Sequence, residues 1–463
     1  MRSDAFAVTV DLLRRYDRPG PRYTSYPTAV EFHAGFDERA YRDRLAGAAA
    51  AVDQPLSLYL HLPFCEQRCT FCGCMVIITK KREVAATYLT YLKREIAMLG
   101  EALGGRRRVL QYHWGGGTPT YLSPAQMADL HAAVAAYFDM DASAEEAIEV
   151  DPRVTTVEQL GLLRTLGFNR LSMGVQDFTP AVQAAVNRIQ PVETTRALFD
   201  RARDLGFDSI NVDLIYGLPL QTRASFAATV DTVLAMRPDR VAVYSFALVP
   251  WIRAHQKGLP MADLPGPEAK LELFVEAMQR FLAAGYRQIG MDHFALPDDE
   301  LAKASEAGHL HRNFMGYTTR PAPDMVGAGV SAIGDVDGAF AQNVKSLSSY
   351  YAALDAGAFP IERGYRLDVD DRLRRFVITE LMCNFRVRQA DVCERFGVAL
   401  PSYFALEIEE LARGPVADGF VRITSDGLEV TQEGRLFVRN IAMHFDRYLR
   451  RKTSVAPVFS RTI

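Results

Sequence analysis

Cys65, Cys69 and Cys72 stand in C-x3-C-x2-C spacing, and Cys74 follows in a C-x-C step. Three thiolates on one tight loop suit a cuboidal iron–sulfur cluster. A [4Fe–4S] cluster has four irons usually held by Cys thiolates, so three ligands leave one iron open to a ligand from outside the protein. Such an iron can chelate an amino and a carboxylate group together. Structural zinc instead asks for two separated Cys or His pairs, and the sequence has no second pair. Zinc closed by Cys74 in a strained cage, or an unmetallated thiol cluster, are the other readings.

The cysteines need elements to position them. Ser57 to Leu62 alternates Leu58, Leu60 and Leu62 with Tyr59 and His61, a period of two that predicts a short strand. The cysteines then lie at its C-terminal end, where parallel α/β sheets bind ligands. Five more strand patterns follow at Val109–Trp114, Ala147–Val150, Arg170–Val175, Ser209–Tyr216 and Val241–Phe246. Helical patterns lie between most of them. In the first, Val84, Tyr88, Tyr91, Leu99 and Leu103 form an apolar stripe, with Glu95 its one polar member. Six β-then-α units predict a parallel sheet that right-handed crossovers curl into part of a barrel.

Several polar residues fall at the predicted strand ends. Gly115-Gly116-Gly117-Thr118 closes the second strand, where missing Cβ atoms let backbone groups approach a ligand. Glu149 and Asp213 end the third and fifth; strand-end carboxylates can bind ribose hydroxyls or simply be solvated. Gln176 and Arg188 add an amide and a cation suited to a carboxylate. His61 shares its strand face with Tyr59 and so points towards the cysteine loop.

The rest of the chain is less periodic. Phe6 to Tyr16 is amphipathic and stops at Pro19-Gly20, and RPGPRYTSYPT is too rich in Pro and Gly for regular structure. Pro267–Ala284 reads as a long helix, Gln288–Phe294 as a strand, and Val326–Gly334 as a Gly-rich run that meets a ligand or makes a tight turn. Residues 368–452 read as three helices, a hairpin turning at Ser425-Asp426-Gly427, and a last helix. That order resembles a winged helix. The segment carries 14 Lys or Arg and 14 Asp or Glu, so it lacks the cationic surplus that dominates DNA affinity. A packing or lid role is expected, with Cys383 and Cys393 as ordinary thiols.

The bulk properties agree with an enzyme of two or three domains. The chain has 463 residues and a net charge of −3, which points to neither nucleic acid nor membrane. No apolar run of about 18 residues and no signal-peptide pattern occurs. Six cysteines, four of them within residues 65–74, are not a disulfide framework. A soluble, cytoplasmic monomer in a reducing compartment is expected.

A strand followed by C-x3-C-x2-C resembles the radical S-adenosylmethionine enzymes. RYTSYPT, YLHLPFC, HWGGGTPT, IEVDPR, GVQDF, VDLIYGLP, GMDHFALPDDEL and LHRNFMGYTT narrow the resemblance to the oxygen-independent coproporphyrinogen III dehydrogenase (oxidase) family, over essentially the whole chain. The resemblance implies an incomplete (β/α)6 barrel with a small, mainly helical, winged-helix-like C-terminal domain. It implies an N-terminal arm or lid (1–56), a catalytic domain (57–365, core barrel about 57–246) and a C-terminal helical domain (366–463). It further implies a [4Fe–4S] cluster on Cys65, Cys69 and Cys72, with S-adenosylmethionine on the open iron cleaved to a 5′-deoxyadenosyl radical.

Carried over position by position, Tyr59, Phe71, Gly116, Glu149 and Ile333 match the pocket for the cluster-bound cofactor. Gly117, Thr118, Gln176, Arg188, Asp213 and Ala247 match a second S-adenosylmethionine site. His61 and Cys74 are the candidate catalytic residues, Cys74 as a non-ligand; chaperone-like relatives lack that fourth cysteine. The arm would close the site and offer Arg22 to a substrate carboxylate. Two propionates of coproporphyrinogen III would become vinyl groups, with a protein supplying electrons to the cluster. The chain departs from the family at Met315, where Gln is frequent, and at RPAPD (Arg320 to Asp324). Replacing any one of Cys65, Cys69 or Cys72 with Ser is expected to abolish both the cluster and activity, measured as bound iron and sulfide beside turnover.

Overall fold

The computed structural model describes residues 12, 15–451 and 459–462; most of the predicted Phe6–Tyr16 helix lies outside them. Six strands run parallel: β1 (Leu56–Leu62), β2 (Arg108–Gly116), β3 (Asp139–Val150), β4 (Arg170–Gln176), β5 (Ser209–Tyr216) and β6 (Arg240–Ser245). The helices between them are α1 (Arg82–Leu103), α2 (Pro124–Ala135), α3 (Val157–Thr165), α4 (Val192–Asp204) and α5 (Arg223–Met236), with α6 (Pro267–Ala283) after β6. Ser123 and Thr156 start α2 and α3 as capping boxes, their side chains accepting the N–H three residues on. This is the α/β partial barrel that the strand and helix periods predict.

The sheet does not stop at the six. It has twelve strands: Asp324–Ala328 adds a seventh parallel strand beside β1, and antiparallel strands extend both edges beyond that. On the β6 side are β7 (Arg287–Ile289) and β8 (His293–Ala295); on the β1 side are β9 (Asp324–Ala328), β10 (Ile333–Val336), β11 (Ala339–Asn343) and β12 (Ile361–Arg366). The single strand expected at Gln288–Phe294 is two short ones, broken at Gly290, whose φ of 54° turns the chain back. The Gly-rich run is the turn from β9 to β10. There Gly329 (φ 103°) packs so closely that a Cβ would meet the Tyr88 hydroxyl at 2.4 Å and the His61 carbonyl at 2.7 Å.

The arm is not a surface connector. Tyr23 and Tyr26 are buried, and the Tyr23 hydroxyl donates to Asp446 at 3.0 Å. Buried Arg439 donates to the carbonyls of Gly20 and Pro21 at 2.6 and 3.2 Å. Arg22 pairs with Asp292 beside β8 and lies 5.4 Å from the Tyr244 ring centre. The segment 19–28 therefore threads between the barrel and the C-terminal helices. Those helices begin at Val369–Asn384, and the hairpin Val421–Thr424 and Gly427–Val430 gains a third strand, Arg386–Arg388. Among the described residues no helix is long and apolar enough to cross a membrane.

Glu95, the polar member of the α1 stripe, is 1% exposed. Its carboxylate accepts from Gly329 N–H at 2.7 Å, Asn343 Nδ2 at 2.7 Å and the Tyr350 hydroxyl at 2.5 Å. Tyr88, two turns earlier on α1, accepts from Val330 N–H at 3.1 Å and donates to the His61 carbonyl at 2.7 Å. Glu95 and Tyr88 thus join α1, β1 and the β9–β10 turn behind the cysteine loop. Burial pushes Glu95 from 4.5 up to about 6 against those three bonds. The folded protein therefore binds this proton more tightly than the unfolded chain, so the stabilisation appears as pH falls through the folded value. Wild type is expected to gain stability relative to Glu95→Gln between about pH 7 and about pH 5, read as the difference in melting temperature across that range.

Candidate active site

The cysteine loop leaves β1 and returns through a two-residue parallel bridge, Phe64–Cys65 on Ile77–Ile78. Cys65, Cys69, Cys72 and Cys74 all line one cavity of about 280 Å³ at the C-terminal ends of the parallel strands. Cys65 Sγ lies 3.4 Å from the Thr118 hydroxyl. Cys69 Sγ accepts from Arg153 Nη2 and Arg188 Nη1, both at 3.7 Å. Asp151, 2.6 and 3.1 Å from the same two nitrogens, holds the guanidinium groups in place. Cys74 lines the same cavity as Cys72, two residues along the loop. Among the described residues no three His, Cys, Asp or Glu are gathered closely enough for a single metal ion. A cuboidal cluster takes thiolates on separate irons, so its ligands stand farther apart than those of one ion.

The loop has almost no secondary structure of its own, and side chains from elsewhere capture its carbonyls. Asn187 donates to Arg68 O at 2.8 Å, Gln256 to Phe71 O at 3.0 Å, His255 to Cys72 O at 2.8 Å and Arg253 to Gly73 O at 2.8 Å. His61 Nε2 reaches Met75 O at 3.0 Å. A carbonyl only accepts, so Nε2 carries the hydrogen, and Nδ1 accepts from the Tyr59 hydroxyl at 2.9 Å. Burial lowers the His61 pKa more than Met75 and Glu149 raise it, which keeps this neutral tautomer.

Across the cavity the glycine run ends β2. A Cβ on Gly117 would meet the Pro63 carbonyl carbon at 2.6 Å, and one on Gly116 (φ 114°) would meet the His61 ring at 2.5 Å. Gly116 N–H donates to Glu149 at 3.0 Å, and His113 lies 3.7 Å from the same carboxylate. Burial raises the Glu149 pKa, but His113 and the Gly116 N–H outweigh it and hold the group ionised. Asp213 accepts from Ser172 at 3.0 Å and Asn211 at 2.8 Å; burial still pushes it up to about 6. Gln176 sits at φ 69°, where a bulge shifts the β4–β5 register. Gln176 Oε1 and Arg188 Nε are buried without a hydrogen-bond partner. Both residues line the cavity. Orphaned polar atoms beside a glycine cradle and three thiols fit a polar ligand held against a cluster.

Of the residues singled out from the sequence, Cys65, Cys69, Phe71, Cys72, Cys74, Gly116, Gly117, Thr118, Glu149, Gln176, Arg188 and Asp213 share this wall. Tyr59, His61, Ala247 and Ile333 stand outside its lining. Tyr59 stacks on His113 at 6.0 Å and pairs in register with Gly327. A Cβ on Gly327 would come within 2.6 Å of the Ile333 carbonyl, so that glycine lets Ile333 approach β1. The Ala247 carbonyl accepts from Gln256 at 3.1 Å. Sequence reasoning missed Gln256, His255 and Arg253, which carry no periodic signal. It quoted Asp151 and Arg153 within IEVDPR without giving them a role.

A second cavity of about 130 Å³ occupies the barrel and shares Glu149, Ser172, Asp213 and Tyr244 with the first. His293 and Met315 line it too. Its floor is ionic: Arg170 lies 3.2 Å from Glu145 and 2.6 Å from Glu300, and Arg240 is 2.9 Å from Asp299. Arg320 of the divergent RPAPD turn pairs with the same Glu300 at 3.1 Å.

Residues 59–233 match the model of the radical SAM superfamily, and residues 367–437 match that of the HemN C-terminal domain. An oxygen-independent coproporphyrinogen III oxidase of Pseudomonas aeruginosa is 49% identical over 96% of this chain and 97% of its own length. The Escherichia coli protein of the same name is 48% identical over 98% of each chain. The solved structure of coproporphyrinogen III oxidase (HemN) from Escherichia coli, described as a radical SAM enzyme, superposes with a TM-score of 0.88. It is 47% identical and covers 92% of this chain and 97% of that one.

Gln256 is fully buried, accepts from Val249 N–H at 2.7 Å and ties Phe71 to Ala247. Gln256→Leu is expected to leave bound iron unchanged while weakening S-adenosylmethionine binding about tenfold, the worth of one or two buried hydrogen bonds. Titration calorimetry on the reconstituted protein reads the affinity.

Proposed function

This chain belongs to the oxygen-independent coproporphyrinogen III oxidases of the radical SAM superfamily, and we propose that it converts coproporphyrinogen III to protoporphyrinogen IX. The reaction is the anaerobic oxidative decarboxylation of two propionate side chains to vinyl groups in heme biosynthesis. The family brings a [4Fe–4S] cluster and S-adenosylmethionine. The observation that carries the reading is the shared wall of the two cavities, through which the interior of the barrel meets the three-cysteine loop. When bound, the cluster and S-adenosylmethionine supply one-electron cleavage of a C–S bond and a hydrogen-abstracting 5′-deoxyadenosyl radical.

The protein's part is placement. Cys65, Cys69 and Cys72 are the proposed iron ligands, with Arg153 and Arg188 donating to the Cys69 sulfur. Glu149, ionised and pinned by Gly116 N–H, suits the N–H donors of the cofactor's methionine end. Phe71, held through its carbonyl by Gln256, is proposed to present its backbone to the adenine, with Tyr59 and Ile333 completing that pocket. The unpartnered Gln176 Oε1 and Arg188 Nε support a second S-adenosylmethionine beside Gly117, Thr118, Asp213 and Ala247. His61, engaged on both ring nitrogens, is proposed to position the loop at Met75 rather than to move a proton. Cys74, a non-ligand on the same wall, is the remaining candidate for proton delivery or substrate contact.

Arg22 on the arm reaches the barrel side over Tyr244, where its pair with Asp292 leaves it to serve a substrate carboxylate only by sharing with that aspartate. Met315 lines the barrel cavity without an amide to offer, so the substrate contact there is apolar. A protein electron donor and a cytoplasmic, monomeric state without nucleic-acid or membrane partners complete the proposal.

The reading is tested anaerobically with reconstituted protein, a reductant, S-adenosylmethionine, coproporphyrinogen III and an electron acceptor. Loss of two formic acid equivalents per tetrapyrrole, with 5′-deoxyadenosine formed, is the expected result. Deoxyadenosine without a changed porphyrin would move the substrate elsewhere.

A further inference from the structure

We propose that the solvent face over the cysteine loop is the docking site of an acidic one-electron carrier protein. The inference rests on the reading that Cys65, Cys69 and Cys72 hold a redox cluster, and it assigns the face through which that cluster is reduced. Gly73, which follows Cys72 and lies outside the cavity lining, is exposed at the tip of the loop, so this face is where the cluster would lie nearest solvent.

Three large apolar side chains stand out of the surface around the tip: Trp251 is 51% exposed, Ile252 57% and Ile189 61%. Each belongs to a segment bonded to the loop. Arg253 and His255, just after Trp251 and Ile252, hold Gly73 O and Cys72 O; Asn187, two residues before Ile189, holds Arg68 O. The other flank is tied in where Arg82 pairs with Glu66. Exposed apolar side chains clustered around a redox loop mark a contact surface.

The charge around these residues chooses the partner. Residues 65–82 and 247–262 together carry six Lys or Arg and one acid, in a chain whose net charge is −3. Lys80, Lys81 and Lys257 are exposed. A cationic rim on an apolar centre steers an anionic protein and releases it quickly, as small electron-transfer interfaces require. A second copy of this chain is the poorer occupant, because a two-fold contact would set the basic face against itself.

Reduced flavodoxin, an acidic single-electron carrier, is the probe. Cluster bleaching is followed by anaerobic stopped flow for the reconstituted wild type, Trp251→Ala and Lys80→Glu/Lys257→Glu, with flavodoxin or dithionite as reductant. Flavodoxin binding is followed separately by anisotropy of a labelled carrier, with and without the cluster. Both variants are expected to bind flavodoxin and be reduced by it at least about tenfold less well, with wild-type binding lost at high salt. Reduction by dithionite should be unchanged. Equal flavodoxin binding and reduction by wild type and variants would overturn the proposal, as would wild-type binding that ignores salt or is absent. A cluster that dithionite cannot reduce would defeat the redox reading instead, and the anisotropy would still decide the docking face.

Discussion

A loop that must present thiols to a cluster cannot also satisfy its own backbone. The ten residues from Cys65 to Cys74 have only the short bridge at Cys65 as regular pairing. Buried carbonyls without partners cost free energy. The structure meets that constraint with donors from two separate places, Asn187 after β4 and the Arg253–Gln256 segment after β6, while His61 on β1 holds Met75 just beyond the loop. The loop is therefore rigid only because the barrel is assembled around it, and the cluster geometry is a property of the whole sheet rather than of the motif.

The same dependence runs outward. His61 can hold Met75 because Tyr59 fixes its other nitrogen and Tyr88 fixes its carbonyl. Tyr88 in turn is braced by the β9–β10 turn, which Glu95 pins from α1. A buried carboxylate with three donors costs desolvation but joins three elements in one geometry, and the raised Glu95 pKa reports that cost. On the far side, the arm and the C-terminal helices form a second apolar core around Tyr16, Tyr23 and Tyr26. Arg22 leaves that core for the barrel, so segment 19–28 is packed against both.

The parts legible in the sequence are those with a period or a spacing. Periodicity located six of the seven parallel strands, missing Asp324–Ala328 at the Gly-rich run, and the cysteine spacing located the loop at the end of the first. Glu95 was visible as a polar residue in an apolar stripe, though not its partners, which lie more than 200 residues away. Edge strands such as β7 and β8 are three residues each, too short for a period. The strand read at Gln288–Phe294 hid a turn because its one glycine resembles an ordinary strand residue. Gln256 and His255 act through carbonyls of the loop, and nothing in residue type distinguishes such an amide from one in solvent. Family resemblance supplied Tyr59 and Ile333, which stand one shell behind the cavity and carry no local signal of their own.

Charge divides the site into two regimes. Inside, the arginines of the barrel are paired: Asp151 sits between Arg153 and Arg188, Asp292 faces Arg22, and Asp299 and Glu300 hold the barrel-floor arginines. Such pairing fixes orientation in a low dielectric, where an unmatched cation would be expensive. Outside, over the loop tip, the cations exceed the acids and water screens them. An interior that is neutral by pairing can accept a cofactor that brings its own opposite charges, a sulfonium and a carboxylate, without rearranging. A cationic exterior meanwhile lets a long-range field gather an anionic partner at the loop. The two regimes meet at residues 66–74, which explains why a stretch with so little regular structure carries so many of the side-chain contacts in the fold.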